Sequence, residues 1–98
     1  SESPDDFSKA LNEAIQKCDD GEGVIMLGDL FGGTPCNQAS YLLNDHIELI
    51  SGVNLPMLLE ILTVRLQGKI DIKHIINVAH DSIINIKEKL ENLDDEFD

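Results

Sequence analysis

A chain of 98 residues is long enough for one small domain, and its 19 acidic against 7 basic residues, a net charge of −12, argue against nucleic acid or anionic membrane as its partners. No apolar run approaches the ~20 residues of a membrane span, and no basic-then-apolar leader opens the chain, so the composition reads as that of a cytoplasmic protein. Cys18 and Cys36 form neither a metal-spaced nor a redox Cys-x-x-Cys pair, and without a signal peptide they are expected to be reduced thiols.

In chain order, Ser3-Pro4-Asp5-Asp6 has the form of a helix cap with an acidic first turn. Phe7, Ala10, Leu11, Ala14, Ile15 and Cys18 then recur at helical spacing, which predicts an amphipathic helix over residues 4–18. Asp19-Asp20-Gly21-Glu22-Gly23 breaks it and leads to Val24-Ile25-Met26-Leu27, four apolar residues that read as a short strand buried on both faces. A glycine-rich turn, Gly28 to Gly33, connects to a helix over residues 35–43, with Thr34 as its cap and Pro35 at its first position. His46 to Ile50 reads as a second strand, and Ser51 to Pro56 as a second polar turn. Met57, Leu58, Ile61, Leu62 and Leu66 continue as a strongly apolar helix that stops near Gly68. Asp71 caps a last, long helix whose stripe runs from Ile72 to Leu90, and residues 92–98 read as an acidic tail with little reason to fold.

The order helix, strand, helix, strand, helix, helix gives an α/β fold whose two strands are too few for the apolar helix faces present. The expected architecture is a three-layer, open, mainly parallel sheet with helices on both faces. Residues 1–91 would be its C-terminal part, with one or two further strands missing or supplied by another chain, and 92–98 a tail or the start of a linker.

Chemistry concentrates at the glycine turn. Gly32 and Gly33 let the backbone approach an oxygen-rich group, the N–H groups at the start of the next helix favour an anion, and Asp29 stands at the strand's carboxyl end, where it can orient a neighbouring side chain. The turn lacks the Gly-Lys-Ser/Thr ending of a nucleotide-binding loop and does not spell a dinucleotide fingerprint. A tight connection with no ligand is the plain alternative. Cys36 near a helix start has a setting that favours a thiolate, but no histidine can be put beside it from sequence.

Two motifs, Leu27-Gly28-Asp29-Leu30-Phe31-Gly32-Gly33-Thr34-Pro35-Cys36-Asn37 and Ile50-Ser51-Gly52-Val53-Asn54-Leu55-Pro56-Met57-Leu58-Leu59-Glu60, together with the first helix, resemble the enzyme IIA domain of the mannose family of the bacterial sugar phosphotransferase system. The resemblance covers essentially the whole chain, weakening over the last helix and tail, and implies that the domain's first strand, helix and strand are absent from residues 1–91. It implies a phosphotransferase component: a phosphoryl carrier that takes its group from HPr onto a histidine and passes it to enzyme IIB during sugar uptake. It also implies a homodimer, peripheral to a membrane sugar permease, with no metal and no other cofactor. The family's acceptor histidine stands in a His-Gly turn after a first strand, and no such turn occurs in these 98 residues; His46, His74 and His80 are not its equivalents. By the same resemblance Asp29 matches the aspartate that orients that histidine, and Thr34 with Gly32 and Gly33 receives the phosphoryl oxygens. Leu30, Phe31 and Asn54 would form the rim met by partners, and the helix from Met57 to Leu66 would contribute to a dimer interface. For Thr34 a plain N-cap role stands beside the functional one, and for Asn54 a purely structural reading does. Two alternatives belong to the same fold: a regulatory IIA-like module of a transcriptional activator, and the dihydroxyacetone kinase phosphocarrier, against which Phe31-Gly32-Gly33-Thr34-Pro35 argues.

Overall fold

The computed structural model describes residues 3–30 and 34–97. Phe31, Gly32 and Gly33 lie outside the described residues, as do the side chains of Thr34 and of residues 95–97. The elements are α1 (Pro4–Cys18), β1 (Val24–Gly28), α2 (Thr34–Ser40), β2 (Ile47–Ser51), α3 (Leu55–Val64), α4 (Ile72–Asp81) and α5 (Ile86–Phe97). They divide into two compact units, Ser1–Val53 and Asn54–Asp98.

In the first unit, α1 begins where the sequence predicts, with Ser3 Oγ accepting a hydrogen bond from the Asp6 N–H at 3.1 Å. Its end is held by Asp19, whose Oδ1 accepts from the N–H groups of Gly21 at 2.8 Å and Gly23 at 3.1 Å. Those two backbone donors favour the ionised form and draw the Asp19 carboxyl below its usual value of 3.8. Gly23 takes a positive φ of 96°, and a Cβ there would fall 2.5 Å from the His46 carbonyl oxygen, so only glycine fits between this turn and the start of β2.

β1 and β2 form a parallel pair in register from Val24 opposite Ile47 to Gly28 opposite Ser51. The α/β class with a parallel sheet is as expected. Full burial of β1 on both faces is not: Val24, Ile25 and Met26 are half-buried and Leu27 is 40% exposed. The reason is that β1 has one strand neighbour among the described residues, since the sheet is two-stranded. α2 packs on α1 and β2, burying Cys36 and Ala39, and Ser8 Oγ on α1 donates to Gln38 Oε1 at 3.0 Å. The helix ends at Ser40, short of the predicted residue 43, and Tyr41 to Leu43 continue as turns.

Strand and helix meet most closely at Gly28, where a Cβ would fall 2.6 Å from Cys36 Sγ. The last residue of β1 is therefore glycine because the α2 thiol occupies the space a side chain would need.

In the second unit α3 packs on α4, with Met57, Ile61, Ile75 and Ala79 buried. Asp71 caps α4 as predicted, accepting from the Lys73 and His74 N–H groups. His74 Nε2 lies 3.0 Å from Glu60 Oε1, an exposed pair that bridges the two helices. The single long helix predicted from Asp71 to Leu90 is instead two. Ser82 ends α4 by donating its hydroxyl to the Ala79 carbonyl at 2.6 Å. Asn85 then starts α5, its Oδ1 accepting from the Glu88 N–H at 3.2 Å. α5 runs to Phe97, so residues expected to form an unstructured acidic tail are helical.

Three outcomes follow for stability. Gly28→Ala should destabilise the first unit by about 1–3 kcal/mol through overpacking, and the cost should shrink when Cys36→Ala is added, a non-additivity read by a double-mutant cycle in urea. Asn54, the α3 cap, accepts from the Met57 N–H and donates to Ala79 and Ser82; Asn54→Ala should cost about 2 kcal/mol, seen as a lower denaturant midpoint. Because the Asp19 carboxyl is depressed in the fold, its contribution is present above its unfolded value of 3.8 and is lost as pH falls through the folded one. Asp19→Asn should therefore reduce the acid dependence of unfolding below about pH 4, leaving the slope near neutrality unchanged.

Candidate functional site

Parallel pairing brings the carboxyl ends of β1 and β2 to one edge of the sheet. Since Gly28 pairs with Ser51, the turns that follow, Asp29-Leu30 and Gly52-Val53, leave from neighbouring points on that edge. In open α/β sheets this is where ligands are bound. Gly52 takes φ +75°, which lets the chain turn sharply at the end of β2.

Asp29 is exposed, one residue beyond β1, and no described residue forms a hydrogen bond or ion pair with its carboxylate. Leu30 beside it is 68% exposed. α2 begins four residues later, at Thr34, so its first N–H groups belong to the same edge of the first unit. The buried thiol of Cys36, seated against Gly28, fixes the distance between the strand's end and the helix's beginning. That contact is the feature sequence reasoning missed. Its only trace was a small residue at the strand terminus and a compact apolar one early in the helix. Burial also removes Cys36 from the candidates for a nucleophile.

Asn54 belongs to the second unit, and its amide is engaged there. Oδ1 accepts from the Met57 N–H at 3.0 Å, while Nδ2 donates to the Ala79 carbonyl at 3.0 Å and to Ser82 Oγ at 3.1 Å. With both Nδ2 hydrogens used, the side chain has no donor left for a ligand. Of the two readings open to Asn54 in the sequence, its geometry displays the structural one, as the cap of α3.

A recess of about 240 Å³ lies at the opposite, amino-terminal edge of the first unit, lined by Asp19, Gly21, Gly23, Asn44, His46 and Ile47. Its carboxylate is already taken by backbone donors, and it is remote in register from Asp29. His46 immediately precedes β2 at this far edge, while His74 and His80 lie on α4. Among the described residues no group of three or more His, Cys, Asp or Glu side chains is arranged to hold a metal ion. Nor is any described helix long and apolar enough to cross a membrane.

Residues 1–80 match the family EIIA-man, described as "PTS system fructose IIA component". The PTS system mannose-specific EIIAB component of Escherichia coli K12 is 41% identical over 66 residues, which are 65% of this chain and 20% of that protein. The PTS system fructose-specific EIIA component of Bacillus subtilis is 41% identical over 61 residues, 60% of this chain and 42% of that one. Thus the chain spans a fifth to under half the length of these relatives. The crystal structure of the PTS IIA protein associated with the fucose utilization operon from Streptococcus pneumoniae superposes with a TM-score of 0.79 at 30% identity, covering 92% of this chain and 68% of that one. With a family match over residues 1–80 and the same parallel α/β arrangement, this chain belongs to the EIIA-man family of phosphotransferase-system IIA components.

Proposed function

We propose that this chain is part of a cytoplasmic phosphoryl carrier of a sugar phosphotransferase system, receiving its phosphoryl group from HPr and delivering it to enzyme IIB beside a membrane sugar permease. The observation that carries the reading is the family match over residues 1–80, which takes in both sequence motifs. In this proposal residues 1–91 are the domain's share of the chain, and the acceptor is a histidine outside these 98 residues.

Asp29 is the positioning carboxylate. An imidazole N–H donating to it is fixed in one tautomer, so that the other ring nitrogen keeps its lone pair for attack on phosphorus. Its exposure and lack of a partner among the described residues support that use, since a carboxylate already bonded to neighbours would be a poorer acceptor. The phosphoryl oxygens carry charge that backbone N–H groups stabilise without reorganising, and the start of α2, with Gly32, Gly33 and Thr34, supplies such donors. Leu30, exposed at the same edge, and Phe31 are the apolar contacts offered to the protein partners. A homodimer contact through α3 fits its exposed Leu55, Leu59 and Leu62. The carrier needs no metal in this scheme.

Two measurements test it. Incubated with enzyme I, HPr and phosphoenolpyruvate, the 98-residue chain should keep an intact mass of 10.8 kDa. A polypeptide that also carries the His-Gly segment should gain one acid-labile phosphoryl group. Transfer onto the 98 residues themselves would move the acceptor to His46, His74 or His80 and refute the assignment. In the histidine-bearing polypeptide Asp29→Asn should slow phosphorylation by about tenfold or more, because the wrong tautomer is favoured. An unchanged rate in the same assay would remove Asp29 from the site.

A further inference from the structure

The turn between α1 and β1 contains Asp20-Gly21, the one place in the 98 residues where an aspartate or asparagine precedes a glycine. That pairing carries a chemistry of its own. A main-chain N–H that follows an aspartate can reach its side-chain carboxyl and close a five-membered imide, and a glycine nitrogen is the least hindered to do so because no side chain crowds it. Here both residues are exposed, and a Cβ built on Gly21 would meet nothing within 4 Å, so the space an imide ring needs is open.

Two hydrogen bonds of the turn oppose the reaction. The Gly21 N–H donates to Asp19 Oδ1 at 2.8 Å, which engages the nitrogen that would attack. Asp20 Oδ1 accepts from the Glu22 N–H at 3.3 Å, which directs the carboxyl to the wrong neighbour. The first bond is the shorter, and the same Asp19 oxygen also accepts from the Gly23 N–H at 3.1 Å, so one charged oxygen fixes the turn at two points.

The step needs only solvent. The Gly21 nitrogen bonds to Asp20 Cγ of the carboxylic acid, the Cγ–OH bond breaks, and the hydroxyl leaves as water with the amide proton. Water then opens the imide. Addition at Cγ restores aspartate, whereas addition at the original main-chain carbonyl routes the chain through the side chain and leaves isoaspartate of unchanged mass. The extra main-chain atom falls three residues ahead of Gly23, where the close fit to the His46 carbonyl and the Val24 N–H bond to that carbonyl align β1 with β2.

We propose that Asp20 is a self-modification site, forming isoaspartate through attack by the Gly21 nitrogen, and that Asp19 is the latch that slows it. The inference is independent of phosphoryl transfer.

The test holds the 98-residue chain at neutral pH, folded and in urea, and samples it over time. A Glu-specific protease releases residues 14–22, whose isoaspartyl form keeps its mass, separates chromatographically and accepts a methyl group from an isoaspartyl methyltransferase. Isoaspartate is expected at Asp20, forming more slowly in the folded chain than in urea by about tenfold or more, the weight of one hydrogen bond to a charged group. Asp19→Ala should raise the folded rate by about tenfold, while Asp19→Asn, which keeps an Oδ1 acceptor, should stay near the parent. Asp20→Glu should remove the signal, since its imide would need a six-membered ring. Equal rates folded and in urea overturn the latch, a comparison that decides even where Asp19→Ala fails to fold. A folded Asp19→Ala chain that reacts no faster than the parent also overturns it, and one that reacts more slowly makes Asp19 the base that takes the Gly21 proton. Isoaspartate confined to another aspartate, or absent in urea as well, overturns the site.

Discussion

The parallel register of β1 and β2 is the constraint on which the functional geometry rests. Because Gly28 lies opposite Ser51, two turns separated by more than twenty residues of sequence emerge side by side, and Asp29 stands at the mouth between them. A slip of one residue would turn each side chain to the other face of the sheet and remove Asp29 from that position. The register is held at both ends. At the amino end the Val24 N–H donates to the His46 carbonyl at 2.9 Å, and the side-chain-free Gly23 packs against the same carbonyl. At the carboxyl end the Cys36 thiol fills the space above Gly28.

The second unit is organised by side chains that satisfy the ends of helices. Asn54 closes the start of α3 and at the same time donates to the Ala79 carbonyl near the end of α4 and to the hydroxyl of Ser82 that follows it. One amide thus serves both a free N–H and a free C=O, groups that a buried helix end must otherwise leave unpaired. The motif Ser51 to Pro56 is consequently not a ligand loop throughout. Its first part belongs to the sheet edge, while Asn54 is committed to helix packing.

Features decided by neighbours in sequence were legible before the structure. Ser3 and Asp71 announce helix starts because a short polar side chain three residues ahead of free N–H groups has few other uses, and the glycines of the Asp19 turn mark a conformation other residues resist. What was not legible depends on distance or on competition. The stripe from Ile72 to Leu90 keeps helical spacing across Ser82, so periodicity alone joins α4 to α5; the break comes at Ser82, whose hydroxyl donates to the Ala79 carbonyl that Asn54 also bonds. The acidic composition of the last residues likewise says nothing of a helix started by Asn85. At the site, Asp29 could be singled out because the turn chemistry is local. The contact of Cys36 with Gly28 spans eight residues and two elements, and no pattern in the chain encodes it.

That contact gives the protein an internal clock. Its two thiols are chemically alike but differ in access, Cys18 lying open on α1 and Cys36 sealed beneath the strand end. An alkylating reagent reaches the first directly from solvent and the second chiefly when β1 and α2 part. The ratio of the two rates therefore reports how often the base of the site opens, within one molecule and without an added probe. Any event that tightens the carboxyl edge of the sheet would register as a longer lifetime of the unmodified Cys36.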